Sequence, residues 1–180
     1  MSILTEELPH SVSFGGESYE VKTDFRDWIR FYESARERDI VGMLRVYKQL
    51  PPSLERALSL AAEFGRGGML PYGEKSGSKR AILDYEADAG LIYAGFMGEY
   101  GIDLCEEKLH WYKFNALLSG LGEDRVISRI MAVRGMDAAK EPDSQRRKEI
   151  RRLQRVYACP DRRSPEEKDR DAMDVLGLFY

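Results

Sequence analysis

The sequence is poor in the residues from which catalytic and metal sites are usually built. It holds two histidines, His10 and His110, and two cysteines, Cys105 and Cys159, in 180 residues. Two distant cysteines do not make the dense disulfide framework of small secreted domains, so a reducing compartment is the simpler setting. The opening MSILTEELPH has neither the basic stretch nor the apolar core of a secretory signal. No apolar run approaches the roughly 20 residues that cross a bilayer, because charge interrupts each one. Net charge is small as well, −3 from 28 basic and 31 acidic side chains. No global field therefore draws the chain to nucleic acid or to anionic membrane.

Reactive motifs are also missing. There is no Gly-x-Ser-x-Gly elbow of the kind that raises a nucleophilic serine on a strained turn. Glu107 and His110 have the Glu-x-x-His spacing that di-iron bundles place on a helix, but such a site needs a second pair on another helix. His10 is the one other histidine, so a solvated or core-edge His110 ranks ahead of a ligand. Cys105 and His110 are the nearest thiol and base, and five positions along a helix is poor geometry for them. Cys105 reads instead as a buried, inert thiol. Gly68 to Gly73 is spaced like a phosphate-binding loop, but Glu74 stands where that loop needs its lysine. The chain is thus read as no enzyme, with no catalytic residue, no metal site and no cofactor.

What is present is enough apolar material for one domain. Hydrophobic residues make up 43% of the chain. Charged residues make up 33%, more than the roughly 25% of an average domain, which suits a helical protein with much exposed surface. The expected class is mainly α, a compact multi-helix bundle preceded by a short N-terminal β-hairpin. Residues 1–160 read as a single helical domain, with the hairpin at about 11–22, where Gly15 and Gly16 interrupt an alternating pattern.

Helices are expected over about 24–134 and 143–158. The first is capped by Thr23 and buries Phe25, Trp28, Ile29 and Tyr32 at helical spacing. The second runs from about Asp39 to Lys48 with Ile40, Leu44 and Tyr47 inward. Pro51 and Pro52 end it, and a third turns Leu54, Ala57, Leu58 and Ala61 inward. A glycine-rich stretch over residues 65–80 reads as a flexible loop. A fourth helix carries Tyr85, Ala89, Ile92, Phe96 and Tyr100 and stops at Gly101, a left-handed cap. Asp103 is expected to cap a fifth, apolar on more than one face through Leu109, Trp111, Tyr112, Phe114, Leu117, Leu118 and Leu121. The sixth, about Glu123 to Arg134, turns Ile127, Ile130 and Met131 inward. The core is expected to centre on Trp28, Phe96, Trp111 and Phe114.

The last 40 residues change in character. QRRKEIRRLQRVY keeps Ile150, Leu153 and Tyr157 as a narrow apolar stripe in a field of charge, and Gln145 to Arg163 holds eight basic and two acidic residues. Arg146, Arg147, Arg151, Arg152 and Arg155 are the candidate partner-binding residues. A solvated face is the commonest fate of such a helix, with protein docking next and nucleic acid after it, because no aromatics interleave the cations. Residues 161–180 form a C-terminal extension in which Ser164, Pro165 and the acids after them suit the start of a short helix.

Four blocks, in order, carry a resemblance. ILTEELPHSV, TDFRDWIRF after the hairpin, YEADAGLIYAGFMGEYGIDL, and LHWYKFNALLSGL with ISRIMAVRGMD resemble recurrent segments of the bacteriophage gene-product-fifteen family, over roughly residues 3 to 160. The family belongs to long-tailed phages and prophages of Gram-positive bacteria. The resemblance implies a tail-module gene near the tape-measure gene and a protein similar to tail assembly chaperones, largely helical and without chemistry. Its implied partners are the tape-measure protein and the tail-tube protein, with self-association and no membrane, in the cytoplasm of the bacterial host. The alternatives are a minor structural component of the tail, or a nucleic-acid-binding accessory protein using the basic helix 146–163. The segment SPEEKDRDAMDVLGLFY departs from the family pattern.

Overall fold

The computed structural model describes residues 4–67 and 81–162 of the chain. Most of the expected glycine-rich loop, with Gly68 to Gly73, and the helix expected after Ser164 lie outside the described residues. Within them the protein is mainly α. Strands β1 (Ser11–Phe14) and β2 (Glu17–Glu20) precede helices α1 (Phe25–Arg36), α2 (Ile40–Leu44), α3 (Leu54–Gly67), α4 (Ala89–Tyr100), α5 (Trp111–Ser119), α6 (Val126–Gly135) and α7 (Ser144–Val156). β1 and β2 are antiparallel, with Val12 opposite Tyr19 and Phe14 opposite Glu17. The two-residue turn between them needs positive φ twice, and Gly15 at 63° and Gly16 at 85° supply it.

α1 starts one residue later than expected. Asp24 rather than Thr23 is the cap, its Oδ1 accepting from the Arg26 N–H at 2.9 Å. Thr23 is occupied elsewhere, because its carbonyl accepts from the Trp111 N–H at 2.7 Å. The Phe25 N–H donates to the Leu109 carbonyl at 2.9 Å, so the segments entering α1 and α5 form a short antiparallel bridge at Asp24 and His110. That bridge sets the start of α5. Asp103 does cap a turn, its Oδ1 accepting from the Cys105 N–H and its carbonyl from the Glu107 N–H, both at 2.8 Å, but the turn cannot continue while Leu109 is held against Phe25, so the expected helix begins only at Trp111. Arg26 holds the irregular segment in place, its Nη2 donating to the carbonyls of Leu104 at 2.5 Å and Glu107 at 3.0 Å.

The bridge also brings the two tryptophans together. Trp28 and Trp111 are fully buried, with ring centroids 6.3 Å apart. Phe64 stacks on Trp28 at 4.7 Å, and Phe114 lies between Phe25 at 4.6 Å and Phe96 at 5.2 Å. Each indole N–H is satisfied, Trp28 by the Lys22 carbonyl at 2.8 Å and Trp111 by the Gly65 carbonyl at 2.7 Å. The expected centre of the core, Trp28, Phe96, Trp111 and Phe114, is thus fully enclosed. A Cβ on Gly65 would lie 2.7 Å from the Tyr32 hydroxyl and 3.3 Å from the Trp28 ring, so glycine is required for that close approach.

Several boundaries differ from expectation for local reasons. α2 is one turn and a half, and Tyr47 is buried beyond its end, where its hydroxyl donates to the Ala57 carbonyl at 2.7 Å. Ile40 and Leu54, expected inward, are half exposed at 46% and 52%. Gly65 to Gly67 complete α3 instead of opening a loop. Tyr85 precedes α4, in a turn built on Asp84. The left-handed Gly101 cap stands as expected, at φ 67°. No helix among the described residues is long and apolar enough to cross a membrane.

Candidate partner-binding surface

α7 carries all five of the arginines singled out in the sequence. Asp143 opens the helix, its Oδ1 accepting from the Arg146 N–H at 2.7 Å. The inner side is narrow. Ile150 and Leu153 are half buried, Tyr157 is 37% exposed, and the residue most fully covered is Gln154. Its Nε2 donates to the carbonyls of Val133 at 3.0 Å and Met136 at 2.7 Å, at the C-terminal end of α6. A polar seam, rather than the expected Ile150–Leu153–Tyr157 stripe alone, fixes α7 to the bundle.

The arginines divide into two groups. Arg147 is turned back on its own helix entry, donating to the carbonyls of Glu141 at 3.1 Å and Pro142 at 3.0 Å. Arg146 meets Glu141 at 3.3 Å, and Arg152 makes two bonds to Glu149, at 2.9 and 2.7 Å. Arg151 and Arg155 are exposed and have no ion-pair partner among the described residues. Lys148 stands with them at positions i, i+3 and i+7 of one helix face. The structure therefore assembles an exposed row of Lys148, Arg151 and Arg155 along α7, with Arg155 beside Gln154 at the rim of one cavity. Lys148 was missed in the sequence, where only the arginines stood out, although its spacing to Arg151 and Arg155 was already legible.

The basic stretch shrinks further at its C-terminal end. Arg162 is an internal tie, paired with Glu86 and lying 3.5 Å from Asp84, and Arg163 is outside the described residues. Beneath Arg162 is a buried charge network with no sequence signature. Arg134 grips Asp88 with two bonds, at 2.5 and 3.0 Å, and donates to the carbonyls of Ile82 and Tyr157. Asp88 in turn accepts from the Asp84 N–H at 2.9 Å, and Asp84 accepts from Arg36 at 2.7 Å. Burial pushes the Asp84 carboxyl up, but the Ala87 N–H and the charges of Arg36 and Arg162 outweigh it and hold it below the usual range. The network joins α1, α4, α6 and the segment after α7. Every charge in it is spoken for, which marks it as structural.

The reactive candidates do not form a site. Cys105 is exposed, not buried, in the irregular segment that Arg26 clamps. His110 is no member of a helical Glu-x-x-His pair, because Glu107 precedes the helix. Both its nitrogens are used in folding: Nδ1 accepts from the Tyr112 N–H at 3.1 Å as the α5 cap, and Nε2 meets the Pro9 carbonyl at 2.9 Å. Burial lowers its pKa below the ordinary value, the Pro9 contact opposing and Lys113 assisting. Cys159 borders a cavity of about 450 Å³ with Ala81, Arg134, Gln154 and Arg155. Burial pushes its thiol up, away from the thiolate that a nucleophile needs.

A family model described as Bacteriophage Gp15 protein matches residues 54–159, which is more than half of the chain. The chain belongs to that family. The Gp15 match runs from the start of α3 through α7 and takes in Asp84, Asp88 and Arg134 of the buried network and the basic row, but not Arg36 or Arg162. It does not extend over the hairpin, α1 and α2, where two of the four resembling blocks lie. Comparison with curated proteins and with solved structures gives no match.

Proposed function

We propose that the protein is a non-catalytic phage tail assembly protein, a chaperone that binds the tape-measure protein in the host cytoplasm, associates with further copies of itself and aids polymerisation of the tail tube. Membership of the Gp15 family supports a phage structural or assembly role. The observation that carries the finer reading is the row of Lys148, Arg151 and Arg155 on an exposed helix. Three cations on one face, unpaired among the described residues, are free to meet an acidic partner surface, whereas a cation held by its neighbour is partly neutralised. Charges on a rim speed encounter and discriminate among partners, which suits a protein that must find and later leave its client. The absence of interleaved aromatics and the limited length of the row favour protein over nucleic acid.

Co-expression tests the reading. The tape-measure protein is expected to be more soluble with this chain than without it, and to co-purify with it. The triple variant Lys148→Glu, Arg151→Glu, Arg155→Glu is expected to fold, because these side chains face solvent, and to lose the co-purification. If the two proteins neither co-purify nor change each other's solubility, the proposal fails. Recovery of the chain in purified virions would make it a structural component of the tail instead.

A further inference from the structure

β1 leaves its outer edge open. The Val21 N–H donates to the His10 carbonyl at 2.9 Å, so His10 and Val21 form a hydrogen-bonded pair. Alternation along an antiparallel ladder then makes Val12–Tyr19 and Phe14–Glu17 the other hydrogen-bonded pairs. The N–H and C=O groups of Ser11 and Ser13 point the opposite way. Among the described residues they have no hydrogen-bond partner.

The corresponding edge of β2 is covered at its C-terminal end, by the segment around Val46 to Lys48. There Lys48 donates to the Glu20 carbonyl at 3.1 Å and Lys22 to the Val46 carbonyl at 2.7 Å. β2 also carries Glu17 and Glu20, whereas β1 reads Ser-Val-Ser-Phe, without charge, proline or bulge. Folded proteins usually guard an open edge by such devices, and β1 has only its shortness. Beside it runs a groove of about 310 Å³, lined among others by Pro9, Leu60, Glu63, Phe64 and Tyr112.

We propose that β1 is a dimerisation edge, pairing antiparallel with β1 of a second copy about a two-fold axis through Val12. The proposal gives a surface to the self-association in the function proposed above, and rests on that reading only for its purpose. The occupant follows from self-complementarity. Setting Ser11 opposite Ser13 of the other copy, and Ser13 opposite Ser11, uses all four outward groups of each strand in four backbone bonds. The two Val12 side chains then meet at the centre, on the face that packs against α3.

The same register sets Phe14 of the second copy opposite His10, above the end of the groove that Pro9, Phe64 and Tyr112 line. Arg56 travels with Phe14, since its guanidinium lies over that ring at 5.3 Å. Glu63 borders the groove that receives it. An isologous contact needs a patch to present both halves of each interaction, and this edge does.

The test uses the full chain alone. Sedimentation across a concentration series is expected to show a reversible monomer–dimer equilibrium. Ser13→Pro removes one outward N–H per copy while leaving the β2 ladder intact, and is expected to weaken dimerisation about thirtyfold with an unchanged circular dichroism spectrum. Should that variant misfold, Val12→Cys in a Cys105→Ser, Cys159→Ser background keeps the question open to decision. Non-hydrogen-bonded partners sit about 4.5 Å apart at Cα, within the roughly 4.4–6.8 Å that a disulfide spans, so mild oxidation is expected to cross-link the dimer.

A chain that stays monomeric at its highest soluble concentration overturns the proposal. So does a dimer indifferent to a folded Ser13→Pro, or one that Val12→Cys does not cross-link. A monomer that still co-purifies with the tape-measure protein would remove this edge and leave the proposed function standing. A β1-paired dimer that binds no tape-measure protein would do the reverse.

Discussion

Replacing Arg134 with methionine is expected to be among the most damaging single changes outside the aromatic core. Arg134 and Asp88 are 7% and 4% exposed at their side chains, so the pair is screened very little by water. Methionine fills much of the volume but leaves Asp88 as a buried carboxylate without its cation. It also strips a donor from the carbonyls of Ile82 and Tyr157. Breaking a buried pair in this way costs about 3–5 kcal/mol, against a total stability of about 5–15 kcal/mol for a domain. At this chain length that corresponds to a fall of about 6–20 °C in Tm. Urea titration followed by circular dichroism reads it directly. The double variant Arg134→Met, Asp88→Asn neutralises the stranded charge and keeps an acceptor for the Asp84 N–H, so it is expected to be more stable than Arg134→Met alone. A loss below about 1 kcal/mol for the single variant, or simple additivity in the double, would refute the reasoning.

Three further outcomes follow from single contacts. His110 caps α5 only while Nδ1 is unprotonated, and burial holds its folded pKa below the usual 6.5. Its contribution is therefore complete above pH 6.5 and is lost as pH falls through the folded value; a plot of stability against pH from 7 to 5 is expected to slope downward and to flatten in His110→Asn, which keeps a cap without titrating. The Tyr32 hydroxyl is buried with no hydrogen-bond partner and its pKa is pushed up to about 12, so Tyr32→Phe is expected to be neutral or to stabilise by up to about 1 kcal/mol in the same titration. Gly65→Ala is expected to destabilise through the Tyr32 and Trp28 contacts, and Tyr32→Phe to relieve part of that loss, so additivity of the two would count against the packing described.

The elements that were legible in the sequence are those whose pattern is local. Gly15–Gly16 between alternating strands and the Phe25–Trp28 spacing need no distant partner to be read, nor does Gly101 at the end of an apolar run. Errors appear where a distant segment decides. Asp103 with two glutamates after it has every mark of a helix start and does open a single turn, and the bond from Phe25 to the Leu109 carbonyl explains why that turn does not run on into α5. The same long-range contact turned His110 from a candidate ligand into a cap. Likewise Arg134 and Asp88 are 46 positions apart, and each alone looks like an ordinary surface charge. Gln154 was passed over because a glutamine on a charged helix gives no periodic signal, yet it holds the seam.

Separating charges that fold the protein from charges that remain free changes what the basic stretch means. As sequence, Gln145 to Arg163 presents a block of eight cations that invites comparison with nucleic-acid binders. In the structure Arg147 is tied to helix-entry carbonyls, Arg152 to Glu149, Arg146 to Glu141, and Arg162 to the Asp84–Glu86 turn. A duplex binder that neutralises several phosphates needs cations free to release counterions in proportion, and four of the eight are already paired. What remains on α7 is a short row of three, Lys148, Arg151 and Arg155, about two turns long. That is a footprint of the size one acidic stretch on a partner helix can match, and too small to track a nucleic-acid backbone. The free charge on this helix therefore argues for a protein client more strongly than the raw composition of the segment argued for nucleic acid.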